Sequence, residues 1–507
     1  MKNYTIPRIL FLGLAIILQI ALIIGMVIKF YQYFTYFYAV NIFISSLVVL
    51  WIVNDESNPA YKIAWIIPIM LFPIFGGLFY ILIGKSSLSK KIVSKMNKIE
   101  EKTKEVLIDN QERNTMLKKL DMDAAKMSHY ILNYAYYPLY YSNNTEYYRL
   151  GEEKFKRLKE ELNKAESFIF MEYFIIEEGI MWNSILDILK EKASKGVDVR
   201  IIYDDIGCLG KLAKEYNKQL ENMGIRCHVF NPVRPILSLA FNNRDHRKIT
   251  VIDGKVGFTG GINLADEYIN EIELHGHWKD TAILFDGEAV WSLTVMFLSL
   301  WEYLDSTSTE DYEKYRYKNG MDEYKGGFIQ PFSDNPLDKE SVGETVYLNI
   351  INNAKDYVYI TTPYLIIDNE MLTALCIAAK NGVDVRIITP HHGDKWYVHA
   401  VTRSYYKPLV NSGVKIYEYT PGFIHSKTYV SDDKFGVVGT INMDYRSLYL
   451  HFECGVWMYN TTSISDLKAD FVSTLEKCTE IEKSYLDNIK WYKTIGRSVL
   501  RLFAPLM

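Results

Sequence analysis

The heptapeptide Gly196-Val-Asp-Val-Arg-Ile-Ile202 recurs letter for letter as Gly382-Val-Asp-Val-Arg-Ile-Ile388. Each copy is preceded by a strand-like apolar run and then a helical pattern, at residues 167–176 and 182–194 in the first case and 357–367 and 371–380 in the second. A strand, a helix and a second strand in succession are typical of an α/β unit. The sequence therefore predicts two homologous α/β halves that form one body, rather than a short-period repeat array.

A second repeated pattern lies near the end of each half and consists mostly of polar residues. His246-Arg-Lys248-Ile-Thr-Val-Ile-Asp253 is followed by Gly260-Gly261-Ile-Asn263, and His425-Ser-Lys427-Thr-Tyr-Val-Ser-Asp432 is followed by Gly439-Thr440-Ile-Asn442. Residues i and i+2 of a strand share a face, so each histidine is predicted to point the same way as its lysine. The glycines allow close backbone approach, and each asparagine returns toward the first strand after a hairpin. Asp253 and Asp432 complete the motifs and are counted with the catalytic set, although their places also suit holding the turns.

Two such hairpins facing each other would bring two imidazoles, two ammonium groups and two amides into one pocket. Lysine and asparagine hold phosphate oxygens and stabilise charge that develops in the transition state. One imidazole can attack phosphorus, while the other protonates the leaving alcohol and deprotonates the incoming one. No cofactor and no metal are expected, because the lysines supply the positive charge. The rival interpretation, metal ligation by His246 and His425, lacks an H-x-x-x-H pair or a clustered carboxylate set.

The double H-x-K-x4-D motif resembles that of the phospholipase D superfamily, and longer stretches are similar to the bacterial cardiolipin synthases within it. These stretches are residues 243–261, the segment His277-Trp-Lys-Asp-Thr281, the segment Thr362-Pro-Tyr-Leu-Ile-Ile-Asp368, residues 59–84 and residues 502–506. The similarity covers nearly everything from about residue 34 of the sequence. It implies transfer of a phosphatidyl group from one phosphatidylglycerol to another, with release of glycerol, through a phosphohistidine intermediate.

The resemblance also implies roles for individual residues. By position, His246 would be the nucleophile and His425 the acid and base, whereas the residues themselves leave the two histidines equivalent. The family has an acidic residue after each motif that orients a histidine, for which Glu453 and Asp280 are the candidates. Ser426 and Thr440 are candidates for secondary contacts of the phosphate, and Gly261 is counted among the residues that bind or support the phosphate.

Two alternatives within the superfamily remain open from the sequence. Water as the acceptor would make the protein a phospholipase D, and a different acceptor would make it another phosphatidyltransferase, such as a phosphatidylserine synthase. A nuclease is disfavoured because the net charge is −4, with 57 Lys and Arg against 61 Asp and Glu, and nucleic-acid binders carry a basic excess. The expected partners are therefore phospholipids and the membrane, not nucleic acid.

Charge is distributed unevenly along the chain. Residues 1–84 hold six charged side chains and three apolar runs, at 9–28, 34–53 and 63–83, that fit a bilayer span. A cleaved signal peptide is the competing interpretation of the first run. Lysines follow the third run at positions 85, 90, 91, 95 and 98, which predicts a cytoplasmic catalytic part, although Lys2 and Arg8 favour the opposite orientation of the first run. We therefore predict a multi-pass cell-membrane protein with two or three transmembrane helices.

The remaining chain divides into four predicted segments. Residues 85–140 form a charged, solvated helical connector, and residues 141–330 and 331–485 form the two halves. Residues 486–507 form a basic amphipathic helix that either lies on anionic lipid or packs on the protein. Residues 233–243 are an insertion relative to the second half, which either reaches acyl chains or packs in the core. The five cysteines are scattered and without a C-x-x-C pair, which favours buried free thiols.

Overall fold

The computed structural model describes residues 14, 17–25, 28, 31–73, 76–77, 80, 90–142, 144–232, 242–305, 311–317, 323–338 and 340–506. The chain separates into two compact units, which we describe individually. One comprises residues 1–88, 233–242 and 498–507, and the other comprises residues 89–232 and 243–497. The larger unit contains both copies of the repeated heptapeptide.

The strands of the larger unit form two main sheets and two short pairs. In chain order they are β1 (Tyr140–Tyr141), β2 (Thr145–Tyr148), β3 (Phe168–Tyr173), β4 (Asp198–Asp204), β5 (Arg226–Phe230), β6 (Lys248–Ile252), β7 (Val256–Gly260), β8 (His277–Lys279), β9 (Ala282–Asp286), β10 (Phe328–Asp334), β11 (Tyr357–Thr361), β12 (Leu365–Ile366), β13 (Asp384–Pro390), β14 (Lys415–Tyr419), β15 (Gly422–Ile424), β16 (Thr428–Ser431), β17 (Phe435–Gly439), β18 (Met443–Asp444), β19 (Glu453–Tyr459) and β20 (Cys478–Glu480).

The two sheets repeat the same strand order, which confirms the predicted duplication. The first is β2-β9-β7-β6-β3-β4-β5, and the second is β1-β10-β19-β17-β16-β11-β13-β14-β20. The heptapeptides lie at strands β4 and β13, which pair in parallel with β3 and β11 respectively. The strand after each motif, β6 or β16, runs antiparallel to β3 or β11. Each motif therefore arrives at the carboxyl end of the central parallel strands, where ligands of open α/β sheets bind.

The helices of the two units are numbered together in chain order, and those of the larger unit link its strands. They are α1 (Tyr31–Val53), α2 (Pro59–Leu71), α3 (Lys90–Val106), α4 (Gln111–Leu120), α5 (Met122–Tyr130), α6 (Gly151–Lys164), α7 (Ile180–Ser194), α8 (Tyr216–Asn222), α9 (Val290–Leu304), α10 (Val342–Asn353), α11 (Asn369–Lys380), α12 (Trp396–Thr402), α13 (Tyr406–Asn411), α14 (Tyr445–Tyr449), α15 (Thr462–Leu475), α16 (Lys483–Asp487) and α17 (Trp491–Leu502). Helices α7 and α11 are the crossovers predicted between the paired parallel strands.

The connector helices α3 to α5 are packed onto the body, so the expectation that they are solvated was wrong. Ile99 and Leu117 are buried, and Lys102 forms an ion pair with Glu302 of α9, with 2.6 Å between Nζ and Oε2. The indole N–H of Trp291 donates to the carbonyl of Val106 at 3.1 Å. The many charged residues of this segment made it look fully solvated, but a helix needs only one apolar face to pack on a core. Strand β1, directly after these helices, joins the sheet of the second half.

In the smaller unit, α1 is the one helix among the described residues that is long and apolar enough to cross a membrane, over the 19 residues Thr35–Val53. Helix α2 begins at Pro59, where the Asn58 side chain accepts from the Ala60 N–H. With 13 residues it is about 20 Å long, shorter than a hydrocarbon core of about 30 Å. The helix of the third apolar run is thus interrupted at Phe72, and residues 73, 76 and 77 are helical again. Of the first run, residues 14, 17–25 and 28 are described, and all of them are helical.

The predicted C-terminal helix lies within the described residues, whereas most of the predicted insertion does not. Helix α17 has no buried residue, and its apolar side chains are exposed, with Trp491 74% and Ile495 54% accessible. This apolar face lies opposite Lys493, Arg497 and Arg501 on the helix, and contact of the helix with anionic lipid stays a prediction. The insertion at 233–243 lies almost entirely outside the described residues.

Candidate active site

The backbone of each motif pairs with the other half of the molecule. The N–H of His246 donates to the carbonyl of Phe452 at 2.9 Å, and the N–H of His425 donates to the carbonyl of Lys279 at 2.7 Å. Strands β6 and β16 consequently begin at Lys248 and Thr428, after the histidines rather than at them as the strand interpretation required. This exchange brings the two motifs into one site.

Each histidine is held by the acidic residue of the opposite half. His246 Nδ1 lies 2.9 Å and 3.1 Å from the two carboxylate oxygens of Glu453. His425 Nδ1 lies 2.7 Å from Oδ2 of Asp280. Both acids are fully buried, and both follow directly the residue whose carbonyl accepts from the partner histidine. A carboxylate at Nδ1 fixes the tautomer with the proton on Nδ1 and leaves the lone pair on Nε2.

Burial sets the charge state of both imidazoles. It lowers the pKa of His246 to about 3, against the opposing effect of Glu453, and lowers the pKa of His425 to about 4, with Lys427 adding to the shift. Burial alone would raise the pKa of Glu453, but the ring of His246 and its hydrogen bond hold it well below the ordinary value. Both imidazoles are therefore neutral at neutral pH, and His246 faces the ionised carboxylate of Glu453, which is the state that a nitrogen nucleophile requires.

The two motif lysines are buried beside the histidines. Each ammonium donates to the carbonyl of its own motif histidine, Lys248 to His246 and Lys427 to His425. Burial lowers the pKa of Lys248 to about 8 and that of Lys427 to about 7, the second also through the charge of Lys248. Both lysines interact electrostatically with Glu453 and Asp280, so the positive charge of the two motifs is concentrated in one place. A bound phosphate anion would raise the pKa of both lysines again, because a nearby negative charge favours their charged forms.

The two asparagines, expected to bind phosphate, are not equivalent. Asn263 Oδ1 accepts from the N–H of Ile175 at 3.0 Å, and its Nδ2 donates to the hydroxyl of Tyr268 at 2.7 Å. Asn442 is 5% exposed, and its Oδ1 has no hydrogen-bond partner among the described residues. Asn263 therefore helps to hold the strand end, while Asn442 keeps polar capacity for a ligand.

Gly261 and Thr440 occupy matching places behind the acids rather than on the phosphate. A Cβ at Gly261 would lie 2.1 Å from Oδ1 of Asp280, so this glycine makes room for that acid. The hydroxyl of Thr440 donates to Oε2 of Glu453 and also accepts from the N–H of Cys454 at 3.0 Å. Both residues thus help to position a carboxylate, which is a supporting role, and a contact of Thr440 with the phosphate stays a prediction.

Asp253 and Asp432 lie at the opposite ends of β6 and β16 from the histidines, which corrects their place in the catalytic set. The carboxylate of Asp253 accepts three backbone N–H groups, from Glu166, Ser167 and Phe168, at 2.7–2.9 Å. That of Asp432 accepts from the equivalent residues 355–357 at 2.8–3.0 Å. Both aspartates have positive φ, near 52° and 53°. They hold the turn of each motif hairpin against the start of β3 or β11. The aspartate recurs in both motifs because both halves use this contact.

A network of buried charges stands behind the first motif and has no counterpart in the residues before His425. The Nε of Arg247 lies 2.6 Å from Oε1 of Glu172 and 3.2 Å from Oδ1 of Asp245. The N–H of Asp245 donates to the carboxylate of Asp204 at 3.1 Å. Removing one partner from such a network leaves an uncompensated buried charge, so these residues hold the His246 segment in place.

Sequence reasoning missed one residue of the site, His451. Its ring centroid is 5.6 Å from that of His246, and its Nδ1 is 3.7 Å from Oε1 of Glu453. At the matching place in the other half stands Trp278, whose ring is 5.4 Å from that of His425. The available signal was position, since each residue lies two before an acid that orients a histidine.

Comparison with known proteins gives a consistent family. Residues 158–301 and 347–475 match the sequence family described as "Cardiolipin synthase, PLD-like domain", and residues 43–85 match "Phospholipase_D-nuclease N-terminal". A protein named cardiolipin synthase from Geobacillus kaustophilus is 37% identical over 461 residues, 89% of this chain and 90% of that protein. One from Halalkalibacterium halodurans is 35% identical over 457 residues, with 89% and 90% covered. A Streptococcus mutans protein described as uncharacterized is 45% identical over 461 residues, 90% of this chain and 99% of that protein.

Among solved structures, the phosphatidylserine synthase of Haemophilus influenzae superposes with a TM-score of 0.56 over 75% of this chain and 97% of that chain. The two share 15% sequence identity, so the similarity concerns the fold.

Proposed function

The chain belongs to the cardiolipin synthases with phospholipase D-like domains, and we propose that it transfers the phosphatidyl group of one phosphatidylglycerol to the terminal hydroxyl of a second, releasing glycerol. The observation that carries the chemistry is the exchange of acids, in which Glu453 orients His246 and Asp280 orients His425. Two oriented imidazoles beside two buried lysines are what a two-step displacement at phosphorus requires, one ring to form the covalent bond and one to move protons.

In the proposed first step, the Nε2 lone pair of His246 attacks phosphorus and the bond from phosphorus to the glycerol oxygen breaks. Glu453 stabilises the positive charge that the imidazole gains, through the hydrogen bond at Nδ1. His425 gives its Nε2 proton to the departing glycerol. The bound phosphodiester anion raises the pKa of His425 from about 4 toward the working range, and Asp280 supports the charged form.

In the proposed second step, His425 takes the proton from the terminal hydroxyl of the second phosphatidylglycerol. That oxygen attacks phosphorus and the bond to His246 Nε2 breaks, which regenerates both imidazoles. Lys248 and Lys427 balance the negative charge on the phosphoryl oxygens in both transition states, and they do so in a buried site where electrostatic interactions are strong.

The surroundings of the site suit a lipid substrate. Exposed apolar side chains lie on segments that follow the carboxyl ends of β3, β4 and β13, the edge at which the histidines sit: Ile180 (59% accessible), Leu209 (50%) and Trp396 (75%). Apolar side chains exposed at this edge would gain free energy from contact with acyl chains. We propose that α1 is part of a multi-pass anchor in the cell membrane and that the catalytic unit faces the cytoplasm. Protease accessibility of the catalytic unit in inside-out vesicles tests this orientation.

Product analysis with purified full-length protein in phosphatidylglycerol micelles tests the reaction. Cardiolipin and glycerol in equal amounts are expected. Phosphatidic acid as the sole lipid product would make water the acceptor and the protein a hydrolase. The variants His246→Asn and His425→Asn, checked for folding by thermal melting, are each expected to abolish transfer, and substantial activity in either would contradict the two-histidine mechanism.

The assignment of the nucleophile needs its own experiment. With phosphatidylglycerol labelled at the phosphatidyl phosphorus, the His425→Asn protein retains His246 but cannot readily complete transfer. Acid-labile label on the peptide containing residue 246 is expected. Label on residue 425 in the His246→Asn protein, with none on residue 246 in the other variant, would reverse the assignment.

A further inference from the structure

His451 is a buried imidazole that the proposed mechanism does not use. Its side chain is 10% exposed, and neither ring nitrogen has a hydrogen-bond partner among the described residues. Its Nδ1 lies 3.7 Å from Oε1 of Glu453, an electrostatic contact that is longer than a hydrogen bond, and its Nε2 has no polar contact among the described residues. Burying a polar group without a partner is costly, so a residue in this position is expected to meet a polar group of the substrate.

The other half of the molecule has no such imidazole. Phe452 and Lys279 are matching positions, because their carbonyls accept from the N–H groups of His246 and His425. The residue before Phe452 is His451, and the residue before Lys279 is Trp278. A side chain with two polar ring atoms therefore lies only on the His246 side of this pseudo-symmetric pair.

Local charge decides what kind of group His451 meets. Ligand atoms of His246, His451 and Glu453 lie within 4.8 Å of one another, a grouping that a metal ion could also use. Lys248 acts electrostatically on both His246 and Glu453, and Lys427 acts on Glu453 as well. The buried positive charge of Lys248, together with that of Lys427 when it is protonated, opposes a divalent cation at this group and favours an anion.

We propose that His451 is a phosphate-binding residue, whose ring N–H donates to a non-bridging phosphoryl oxygen of the group transferred to His246. The inference rests on the proposed function for the identity of the group, and on the geometry for its charge. The hydrogen bond holds the phosphoryl group against the nucleophile, and it strengthens as negative charge grows on that oxygen in the transition state. His451 thus contributes one donor on the His246 side, in addition to the two lysines.

The test measures oxyanion binding separately from catalysis. Full-length protein in detergent is titrated with orthovanadate, and the dissociation constant is taken from the shift in thermal melting. His451→Phe keeps a ring and removes both nitrogens, and it is expected to weaken vanadate binding about ten- to a hundredfold, the usual worth of a hydrogen bond to a charged group. His451→Asn keeps an N–H donor and is expected to recover part of the affinity.

Two matched variants separate binding from positioning. Trp278→Phe changes the equivalent place in the other half, and Thr440→Val loosens Glu453. Thr440→Val is expected to leave vanadate affinity unchanged. Trp278→Phe removes an indole N–H that also lacks a partner among the described residues but lies beside His425, and it is expected to weaken vanadate binding less than His451→Phe does. If His451 acted only by positioning Glu453, His451→Phe would slow turnover as Thr440→Val does while vanadate affinity stayed at the wild-type value, and that result would overturn the proposal.

A metal is the remaining outcome. Stoichiometric Zn²⁺ binding that is lost in His451→Phe, with vanadate affinity unchanged, would show a cation site and would also overturn the proposal. The vanadate titration contains no lipid, so a finding that the protein hydrolyses phosphatidylglycerol would contradict the proposed function and leave the assignment of His451 standing.

Discussion

Replacing Glu453 by glutamine tests whether a carboxylate from one half controls the tautomer of the histidine in the other. Glu453 accepts from Nδ1 of His246 and receives the hydroxyl of Thr440 on Oε2. Thr440 is itself held by Cys454, whose N–H donates to its Oγ1 at 3.0 Å. In Glu453→Gln, the hydroxyl of Thr440 is expected to keep the amide oxygen and turn the amide NH₂ toward His246. That group donates, so Nδ1 must accept and the ring proton moves to Nε2.

The expected loss is large because Nε2 then has no lone pair for phosphorus. In the Ser-His-Asp triad, the same carboxylate-to-amide change lowers kcat about 10⁴-fold through the wrong tautomer. Burial already lowers the pKa of His246 to about 3, so protonation does not offer another route at neutral pH. We expect a fall in kcat of about 10³- to 10⁴-fold with the thermal melting temperature nearly unchanged, since the amide fills the same space.

The assay is single-turnover labelling of His246 from phosphatidylglycerol labelled at phosphorus, together with steady-state formation of cardiolipin. The double variant Glu453→Gln/Thr440→Val removes the hydroxyl that orients the amide, so the amide can rotate and present its oxygen to Nδ1. It is expected to be at least about tenfold more active than Glu453→Gln alone, a recovery equivalent to about 1.4 kcal/mol. Retention of more than about a tenth of wild-type kcat by Glu453→Gln, or a double variant no better than the single one, would refute the tautomer argument.

Three further outcomes are expected. Burial lowers the pKa of Lys248 to about 8 and that of Lys427 to about 7, so both side chains lose their positive charge as the pH rises through those values. We therefore expect kcat/KM to fall on the alkaline side. A value of kcat/KM that stays constant up to about pH 10 would contradict this expectation. Asp253→Ala removes an acceptor of three backbone N–H groups and should cost about 1–3 kcal/mol of unfolding free energy by denaturant titration, with kcat per folded molecule retained and a smaller loss in Asp253→Asn. Prolonged chelation should leave cardiolipin formation intact, because the lysines supply the charge that a metal would, and restoration of activity by one equivalent of metal would disprove it.

The sequence predicted the duplicated sheets well, because the pattern of each element is local. The heptapeptides form β4 and β13 and the crossover helices begin within two residues of the expected positions. One failure arose within a single half. The spacing of Asp253 from His246 suggested one catalytic group, whereas a strand of five residues separates them and carries the aspartate to the far end of the sheet.

Dependence on the partner half explains why Glu453 and Asp280 were recognised as orienting acids without being assigned to a histidine. Counting along the chain places Glu453 beside the second motif, yet it holds the histidine of the first. Each acid contacts the histidine of the other half because the backbones of the two halves pair there. The sequence pattern within one half does not indicate this pairing. His451 was missed for a related reason, since a lone histidine before a strand gives no signal until its neighbour across the pseudo-symmetric interface is known.

The exchange of acids has a consequence for how the site works as a unit. Because each imidazole is held by a carboxylate of the other half, loss of either carboxylate is expected to disturb the histidine of the opposite half. A symmetric pair would also make either histidine equally able to attack. Here Thr440 and His451 surround the His246 pair where Gly261 and Trp278 surround the other, so the differences that separate nucleophile from acid lie in the residues around the motifs. Exchanging those surrounding residues between halves is therefore the change most able to redistribute the two roles, while the motifs stay intact.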